Sequence, residues 1–143
     1  MGYRSDVRII TSKRGYEALK NYNNKYLKKL NAIDYSLLDI SNIYGKSKNM
    51  ICIGWDNIKW YEDCDYKGVD SIMNGIKYLK DNDYSYRFSR MGEYYDDVYE
   101  DLFDSKKREK IDLPYLYIER KFEDSYIADV MYKDNIKSRD VER

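Results

Sequence analysis

The stretch that organises the chain is NMICIGWDNIKWY, residues Asn49–Tyr61. It contains both tryptophans of the chain, Trp55 and Trp60. Its first half is a short apolar run typical of a strand that is buried on both faces, and its second half mixes large rings with Asp56 and Lys59. We therefore expect a buried central strand that emerges into a functional or partner-facing surface.

Length, charge and cysteine content bound the class of protein. The 143 residues fit a single domain. Lys plus Arg and Asp plus Glu both number 26, so stable binding to nucleic acid or to an anionic membrane is not expected. No apolar run reaches the roughly 20 residues of a membrane span. The isolated cysteines Cys52 and Cys64 indicate a reducing cytoplasm.

Hydrophobic periodicity predicts the order βαββαβ. This order is that of a ferredoxin-like α+β fold, in which two helices pack on one face of an antiparallel sheet and leave the other face uncovered. The second and central strands are expected to form a hairpin through a turn at 44–48. The predicted elements are a strand at 3–11, a helix at 13–30 capped by Ser12, a strand at 35–43, the central strand from 49, a helix through 69–79 and a strand at 84–89.

The sequence beyond Gly92 is less regular. We expect a core at about 3–92, a C-terminal extension at 93–132 and a loose charged tail at 133–143. Residues 95–103 are compatible with a short helix but are strongly acidic. A further strand is predicted at 114–122, and one more strand or a short helix at 126–132.

The catalytic chemistry available to the chain is narrow. It contains no histidine, which is the commonest general base and metal ligand, and it has no glycine-rich phosphate loop. We therefore expect a non-enzymatic protein without a cofactor or metal, and a carboxylate-dependent phosphodiesterase is the enzymatic alternative. The acidic candidates for a Mg²⁺ site or an acid–base pair are Asp63 with Asp65, and Glu93, Asp96, Asp97, Glu100, Asp101 and Asp104.

Rings and cations are interleaved on the first, central and fourth predicted strands. A ring that stacks on a base contributes roughly 1 to 3 kcal/mol, and arginine matches a phosphate with two parallel hydrogen bonds. We expect these side chains to converge on one water-accessible hollow that binds a nucleotide. Packing of the rings in the core and pairing of the arginines with carboxylates is the alternative. The candidate ligand-binding residues are Tyr3, Arg4, Trp55, Lys59, Trp60, Tyr86, Arg87, Phe88 and Arg90.

Three short motifs resemble a family of small phage and prophage proteins that open with Gly-Tyr-Arg-Ser-Asp-Val. The motifs are GYRSDV at Gly2–Val7, WDNIKWY at Trp55–Tyr61 and RMGEYYDD at Arg90–Asp97, and the resemblance ends by Asp104. It implies a viral accessory protein in a bacterial cytoplasm. Proteins of this size in that setting often counter host defence.

The residues and the resemblance together predict a phage anti-defence protein. It would bind and sequester a nucleotide immune signal, such as a cyclic ADP-ribose isomer or a cyclic oligonucleotide, without cleaving it. An uncovered sheet face or edge also favours a homo-oligomer. The alternative is direct inhibition of a host nuclease, polymerase or defence enzyme, because the spaced carboxylates of 93–104 can imitate a phosphate backbone. The basic run Lys106–Lys110, which follows directly, weakens that alternative.

Overall fold

The computed structural model describes residues 4–60, 67–94, 96–116 and 131–133. Within these ranges the fold is α+β, as predicted, with one five-stranded antiparallel sheet, two α-helices and two short 3-10 helices. In chain order the elements are β1 (Arg4–Ser12), α1 (Lys13–Lys29), the 3-10 helices (Ile33–Tyr35 and Leu37–Ile40), β2 (Asn42–Lys46), β3 (Met50–Lys59), α2 (Lys67–Asp81), β4 (Tyr86–Gly92) and β5 (Val98–Phe103).

The strands lie in the order β2-β3-β1-β4-β5, and every neighbouring pair is antiparallel. The register places Val7 of β1 between Trp55 of β3 and Arg90 of β4. The prediction that the first, central and fourth strands are neighbours is therefore confirmed.

The core lies between one face of this sheet and the two helices. Because side chains alternate along a strand, Val7 and Ile9 point to the same face. Each fully buried large apolar side chain contributes about 1.5 to 3 kcal/mol, so this layer supplies most of the stability. The buried cluster consists of Val7, Ile9, Leu19, Ile51, Ile53, Trp55, Trp60, Val69, Ile72, Ile76, Leu79, Tyr86 and Phe88.

The predicted strand at 35–43 is wrong. Leu37 and Leu38 are consecutive and both half-buried, which suits a 3-10 turn rather than the alternation of a strand. The Leu37 carbonyl accepts a hydrogen bond from Trp55 Nε1 at 2.8 Å, so this segment closes the edge of the core. Strand β2 begins only at Asn42 and includes residues predicted as a turn. The predicted hairpin with the central strand is confirmed, and its turn lies at 47–49.

The other elements up to Gly92 match the predictions within two or three residues at most boundaries. Ser12 caps α1 as predicted, since its Oγ accepts a hydrogen bond from the Gly15 N–H at 2.9 Å. The sequence leaves open whether 95–103 is a helix, and in the structure Val98–Phe103 is a strand that pairs with β4. Residues 114–116 form neither helix nor strand. The rest of the strand predicted at 117–122, most of 126–132 and all of the tail after Lys133 lie outside the described residues.

The second face of the sheet, predicted to be uncovered, is covered in part: Arg8 and Asp56 on this face have side chains that are 28% and 54% exposed, whereas the region of Arg87 is covered. Arg87 of β4 points to this face and is only 3% exposed. Its guanidinium contacts Asp104, Leu113 and Tyr115 of the segment that follows β5. Residues 104–115 therefore lie against this face around Arg87. Within the described part of the chain, no helix has both the length and the apolar content to cross a membrane.

Candidate functional site

Three of the rings predicted to stack on a ligand meet one another, but they meet inside the core. The ring centroids of Trp55 and Trp60 lie 5.4 Å apart, and those of Trp60 and Phe88 lie 6.2 Å apart. The three side chains are 2%, 5% and 1% exposed. The predicted water-accessible hollow therefore does not form around them, because the helices cover this face of the sheet.

Tyr86 is also a core residue. It is 1% exposed, its ring stacks on Phe103 at 6.1 Å, and its hydroxyl donates a hydrogen bond to Asp101 at 2.8 Å. Burial and this acceptor raise the pKa of Tyr86. The phenol is held as a neutral donor and has no free face for a base.

Two predicted phosphate-binding arginines are already paired with carboxylates. Arg87 Nη2 lies 2.7 Å from Asp104 Oδ1. Arg90 binds Asp97 through two hydrogen bonds of 2.8 and 3.1 Å and also donates to Ser5 Oγ at 3.3 Å. Both arginines therefore match the alternative to phosphate binding, which is pairing with carboxylates of the protein itself.

Two of the three remaining predicted residues, Arg4 and Lys59, lie at one end of the sheet. Arg4 and Lys59 are register partners at the ends of β1 and β3. Arg4 donates from Nη1 to the Asn57 carbonyl at 3.1 Å, and Lys59 is exposed. Tyr3 lies outside the described residues. The structure therefore brings Arg4 and Lys59 together but away from the buried rings of Tyr86 and Phe88.

Other tyrosines surround an open cavity of about 440 Å³ between α1 and α2, which we call the tyrosine cavity. The ring centroids of Tyr22 on α1 and Tyr78 on α2 lie 5.1 Å apart. Burial, followed by the neighbouring Tyr26, raises the pKa of Tyr22, so the phenol is neutral. The lining residues are Arg14, Glu17, Ala18, Asn21, Tyr22, Lys25, Tyr78 and Tyr84.

A second open hollow, of about 520 Å³, runs along the outer side of α1. It shares Tyr22 and Lys25 with the tyrosine cavity, and its other lining residues, Tyr26, Lys28 and Lys29, also belong to α1. Long side chains of one helix do not fix the shape of a site, so we place the candidate site elsewhere.

Next to the tyrosine cavity, a cavity of about 390 Å³ is lined by cations, and we call it the cationic cavity. Three separate segments form it: the start of α1, the β2–β3 turn and the loop that follows β5. Among the described residues, Lys13, Arg14, Lys48 and Lys110 form no ion pair. The lining residues are Ser12, Lys13, Arg14, Lys48, Asn49, Arg108, Glu109, Lys110 and Ile111.

Glu109 is the only carboxylate among the described lining residues of the cationic cavity, and it is used internally. Its Oε2 accepts a hydrogen bond from the Ser85 N–H at 2.9 Å, and its Oε1 accepts one from Ser12 Oγ. Glu109 therefore attaches the loop after β5 to the sheet. The surrounding cations form no ion pair with Glu109 among the described contacts, so their charge can attract another anion.

Asp83 fixes the same loop from the other side. Its carboxylate accepts hydrogen bonds from the backbone N–H groups of Lys106, Lys107 and Arg108 at 2.8, 2.7 and 2.8 Å. These donors hold the pKa of Asp83 well below its ordinary value. Asp83 has a φ of 63°, a left-handed conformation that aspartate tolerates better than most residues. The backbone of the loop that follows β5 is therefore fixed at residues 106–108 without any ligand.

The two cavities meet at two arginines. Arg14 lines both of them. The guanidinium of Arg108, which lines the cationic cavity, lies 4.7 Å from the ring centroid of Tyr84, which lines the tyrosine cavity. Arg108 Nε also donates to the Asn82 carbonyl at 2.6 Å, which fixes its direction. We call the continuous region formed by both cavities the tyrosine–cation surface.

Comparison with protein-family models, with curated proteins and with solved structures gives no match. The candidate site therefore depends on the geometry of this chain. Within the described ranges, no group of three acidic or cysteine side chains is arranged to hold a metal ion, and Asp63 and Asp65 lie outside them.

Sequence reasoning missed most of this surface. Tyr22 and Tyr78 lie on their helices outside the apolar positions that define the core, which is the signal that would have separated them from core rings. In sequence, the basic run at 106–110 indicates no cavity by itself. Its spatial neighbours, Lys13 and Lys48, are distant in sequence.

Proposed function

We propose that the protein binds a small nucleotide at the tyrosine–cation surface and holds it without cleaving it. The observation that carries this proposal is the contact between Arg108 and Tyr84, which joins the lining of a cation-lined cavity to that of a ring-lined one. Rings stack on bases at roughly 1 to 3 kcal/mol each, and cations bind phosphates. Each cavity falls within the range of about 300 to 1,000 Å³ that is usual for small-molecule sites.

The biological role follows from the resemblance to phage and prophage proteins. A phage accessory protein that retains a nucleotide in the bacterial cytoplasm removes an immune signal from the host, and cyclic ADP-ribose isomers and cyclic oligonucleotides are signals of this chemistry. Sequestration without turnover is supported by the lack of histidine in the sequence. The proposed role is therefore that of an anti-defence nucleotide sponge.

We also infer that the core of the fold is ferredoxin-like. The element order β1-α1-β2-β3-α2-β4 and the strand order β2-β3-β1-β4 support this assignment, and β5 extends the sheet beyond β4. In this arrangement both helices lie on the same face. The tyrosine cavity then occupies the groove between them.

A homo-oligomer remains part of the proposal. Strand β2 lies at the edge of the sheet, and all five of its residues are exposed. Ile43 on this strand and Ile40 just before it are 59% and 64% exposed. An exposed edge with apolar side chains favours pairing with a second copy of the chain.

Direct inhibition of a host protein is the second candidate function. Strand β5 supports it, since this edge strand exposes Val98, Tyr99 and Leu102. Three carboxylates of the same region are already bound, however: Asp97 to Arg90, Asp101 to Tyr86 and Asp104 to Arg87. Fewer acidic groups are then available to imitate a phosphate backbone, so nucleotide binding is the better supported function.

Isothermal titration calorimetry of the whole chain against cyclic ADP-ribose isomers, cyclic dinucleotides and linear nucleotides tests the proposal. We expect saturable binding of at least one of them, and recovery of the intact ligand by chromatography after the protein is denatured. Tyr78→Ala should weaken binding, whereas Lys59→Ala at the far end of β3 should not. Absence of heat from every nucleotide contradicts the proposal. Capture of a host protein that depends on Leu102 and Tyr99 would favour inhibition instead.

A further inference from the structure

We infer that the ligand of the tyrosine–cation surface carries at least two phosphoryl groups, which the cationic cavity holds while a base lies against the tyrosines. This inference depends on the proposed nucleotide binding and narrows its ligand class to dinucleotides and to nucleotides with a pyrophosphate. A nucleotide with a single phosphate would leave most of the cations unused.

The number of cations is the first argument. Five cations line the cavity beside one carboxylate, and that carboxylate is bound to Ser12 and Ser85. Like charges placed close together repel one another and reduce the stability of the folded chain. A single phosphate monoester carries about 1.5 to 2 negative charges near neutral pH and compensates only part of this field. A nucleoside diphosphate carries more negative charge than this, and the two phosphates of a dinucleotide place oxygen acceptors against more of the cations.

The arrangement of the cations is the second argument. Lys13, Lys48 and Lys110 come from three segments that approach from different sides. The Lys13 N–H donates to the Asn49 carbonyl at 3.0 Å, which ties the β2–β3 turn to α1. Cations that surround a cavity suit a compact group of phosphates, whereas an extended strand of nucleic acid requires a row of cations.

The start of α1 adds to the same field. The helix is 17 residues long, and its first turn contains no acidic residue. The N-terminal end of such a helix carries a partial positive charge of about half a unit, which favours anions nearby. Lys13 and Arg14, the first two residues of α1, line the cationic cavity. Helix and side chains therefore act on the same anion.

The division between rings and cations sets the orientation of the ligand. Of the two cavities, the tyrosine cavity contains Tyr22 and Tyr78, the cationic cavity contains Lys48 and Lys110, and Arg14 lines both. The base then lies between the helices, and the phosphates lie at the end of the sheet. Arg14 and Arg108 lie where the two parts join.

Calorimetry with the full chain tests this inference with four probes: a nucleoside monophosphate, the matching nucleoside diphosphate, a cyclic dinucleotide and inorganic pyrophosphate. We expect the two-phosphate nucleotides to bind at least about tenfold more tightly than the monophosphate, a factor that corresponds to one or two additional charge-assisted contacts. The double variant Lys48→Ala/Lys110→Ala should weaken the two-phosphate nucleotides by a larger factor than the monophosphate, and so reduce this preference. Both lysines are exposed, so the fold should be retained, and a thermal melt checks this.

Tyr78→Ala should weaken the monophosphate and the diphosphate by the same factor, and Lys59→Ala is the matched control for the loss of an exposed lysine. Equal affinity of the intact chain for mono- and diphosphate overturns the inference but leaves nucleotide binding in place. No binding of any nucleotide overturns both. Pyrophosphate binding that depends on Lys48 and Lys110 supports the phosphate subsite.

Discussion

The guanidinium of Arg108 lies 4.7 Å from the ring centroid of Tyr84. This contact joins the loop that follows β5 to the short segment between α2 and β4, and it places a cation at the border of a ring-lined cavity. Hydrogen bonds from Arg108 Nε to the Asn82 carbonyl and from its backbone N–H to Asp83 hold it there. The proposed binding surface therefore has a fixed centre.

Replacing Arg108 tests that centre. We expect Arg108→Ala to weaken nucleotide binding by about tenfold or more, because a charge-assisted hydrogen bond contributes about 1.5 to 3 kcal/mol. Calorimetry measures the dissociation constant, and a thermal melt should change little because Arg108 is exposed. Lys59 is the control because it lies at the other end of β3 from the cationic cavity. It is nine residues along the strand from Met50, the neighbour of the cavity residue Asn49, or about 30 Å at the rise of a strand. An equal loss in Lys59→Ala would contradict a localised site.

Asp83 makes the stability of the chain sensitive to acid. Its pKa in the folded state lies below the ordinary value of 3.8. The carboxylate therefore stabilises the fold above about pH 4, and this contribution is lost as the pH falls towards the folded-state pKa. Asp83→Asn lacks this group, so the melting temperature of the unaltered chain should fall more between about pH 5 and pH 3 than that of the variant. Identical pH profiles would show that the loop does not depend on this charge.

The ion pair of Arg87 and Asp104 is asymmetric, because the side chains are 4% and 57% exposed. Removing Asp104 leaves a buried cation without its counter-ion, so Asp104→Ala should lower the free energy of unfolding by about 3 kcal/mol. In an Arg87→Met background, Asp104→Ala should change the free energy of unfolding by close to zero, because the solvated carboxylate then has no buried cation to stabilise. Urea unfolding of the four proteins measures this cycle. Equal costs in both backgrounds would mean that the pair does not act as a unit.

Two glycines of neighbouring strands should respond differently to alanine. A Cβ on Gly54 would lie 1.9 Å from the Val7 carbonyl oxygen, so β1 and β3 would have to separate. We expect Gly54→Ala to cost about 3 kcal/mol or more. A Cβ on Gly45 would lie 3.9 Å from Cys52 Cβ, an ordinary contact, and Gly45→Ala should change stability by less than about 1 kcal/mol. Chemical unfolding compares the two, and similar costs would argue against close approach of β1 and β3.

The parts of the fold that sequence predicts well are those with a regular repeat. Leu19 and Leu27 on α1, and Ile72, Ile76 and Leu79 on α2, recur at helical spacing and are buried. The alternation along β1 and β4 likewise identifies real strands. These patterns are local, so the residues themselves specify them.

The predicted hollow does not form around Trp55, Trp60 and Phe88, because the alternation of side chains along a strand does not say which face of the sheet the helices cover. Trp55 and Phe88 do share a face, as neighbouring strands require, but that face is the core. The cationic cavity was not predictable for another reason. Lys13, Lys48 and Lys110 are far apart in sequence, and a net charge of zero conceals a local excess of cations.

The hydrogen bonds of Asp83 have a consequence for selectivity. Three consecutive amides of the loop are already occupied by the protein's own carboxylate, so an incoming anion would meet the exposed side chains of Lys48 and Lys110 instead of a rigid backbone cradle. Such side chains follow a phosphate wherever it lies, and linkage isomers such as 2′–5′ and 3′–5′ phosphodiesters should be poorly discriminated. Under the proposed anti-defence role, a host that changed the linkage of its signal would therefore gain little protection.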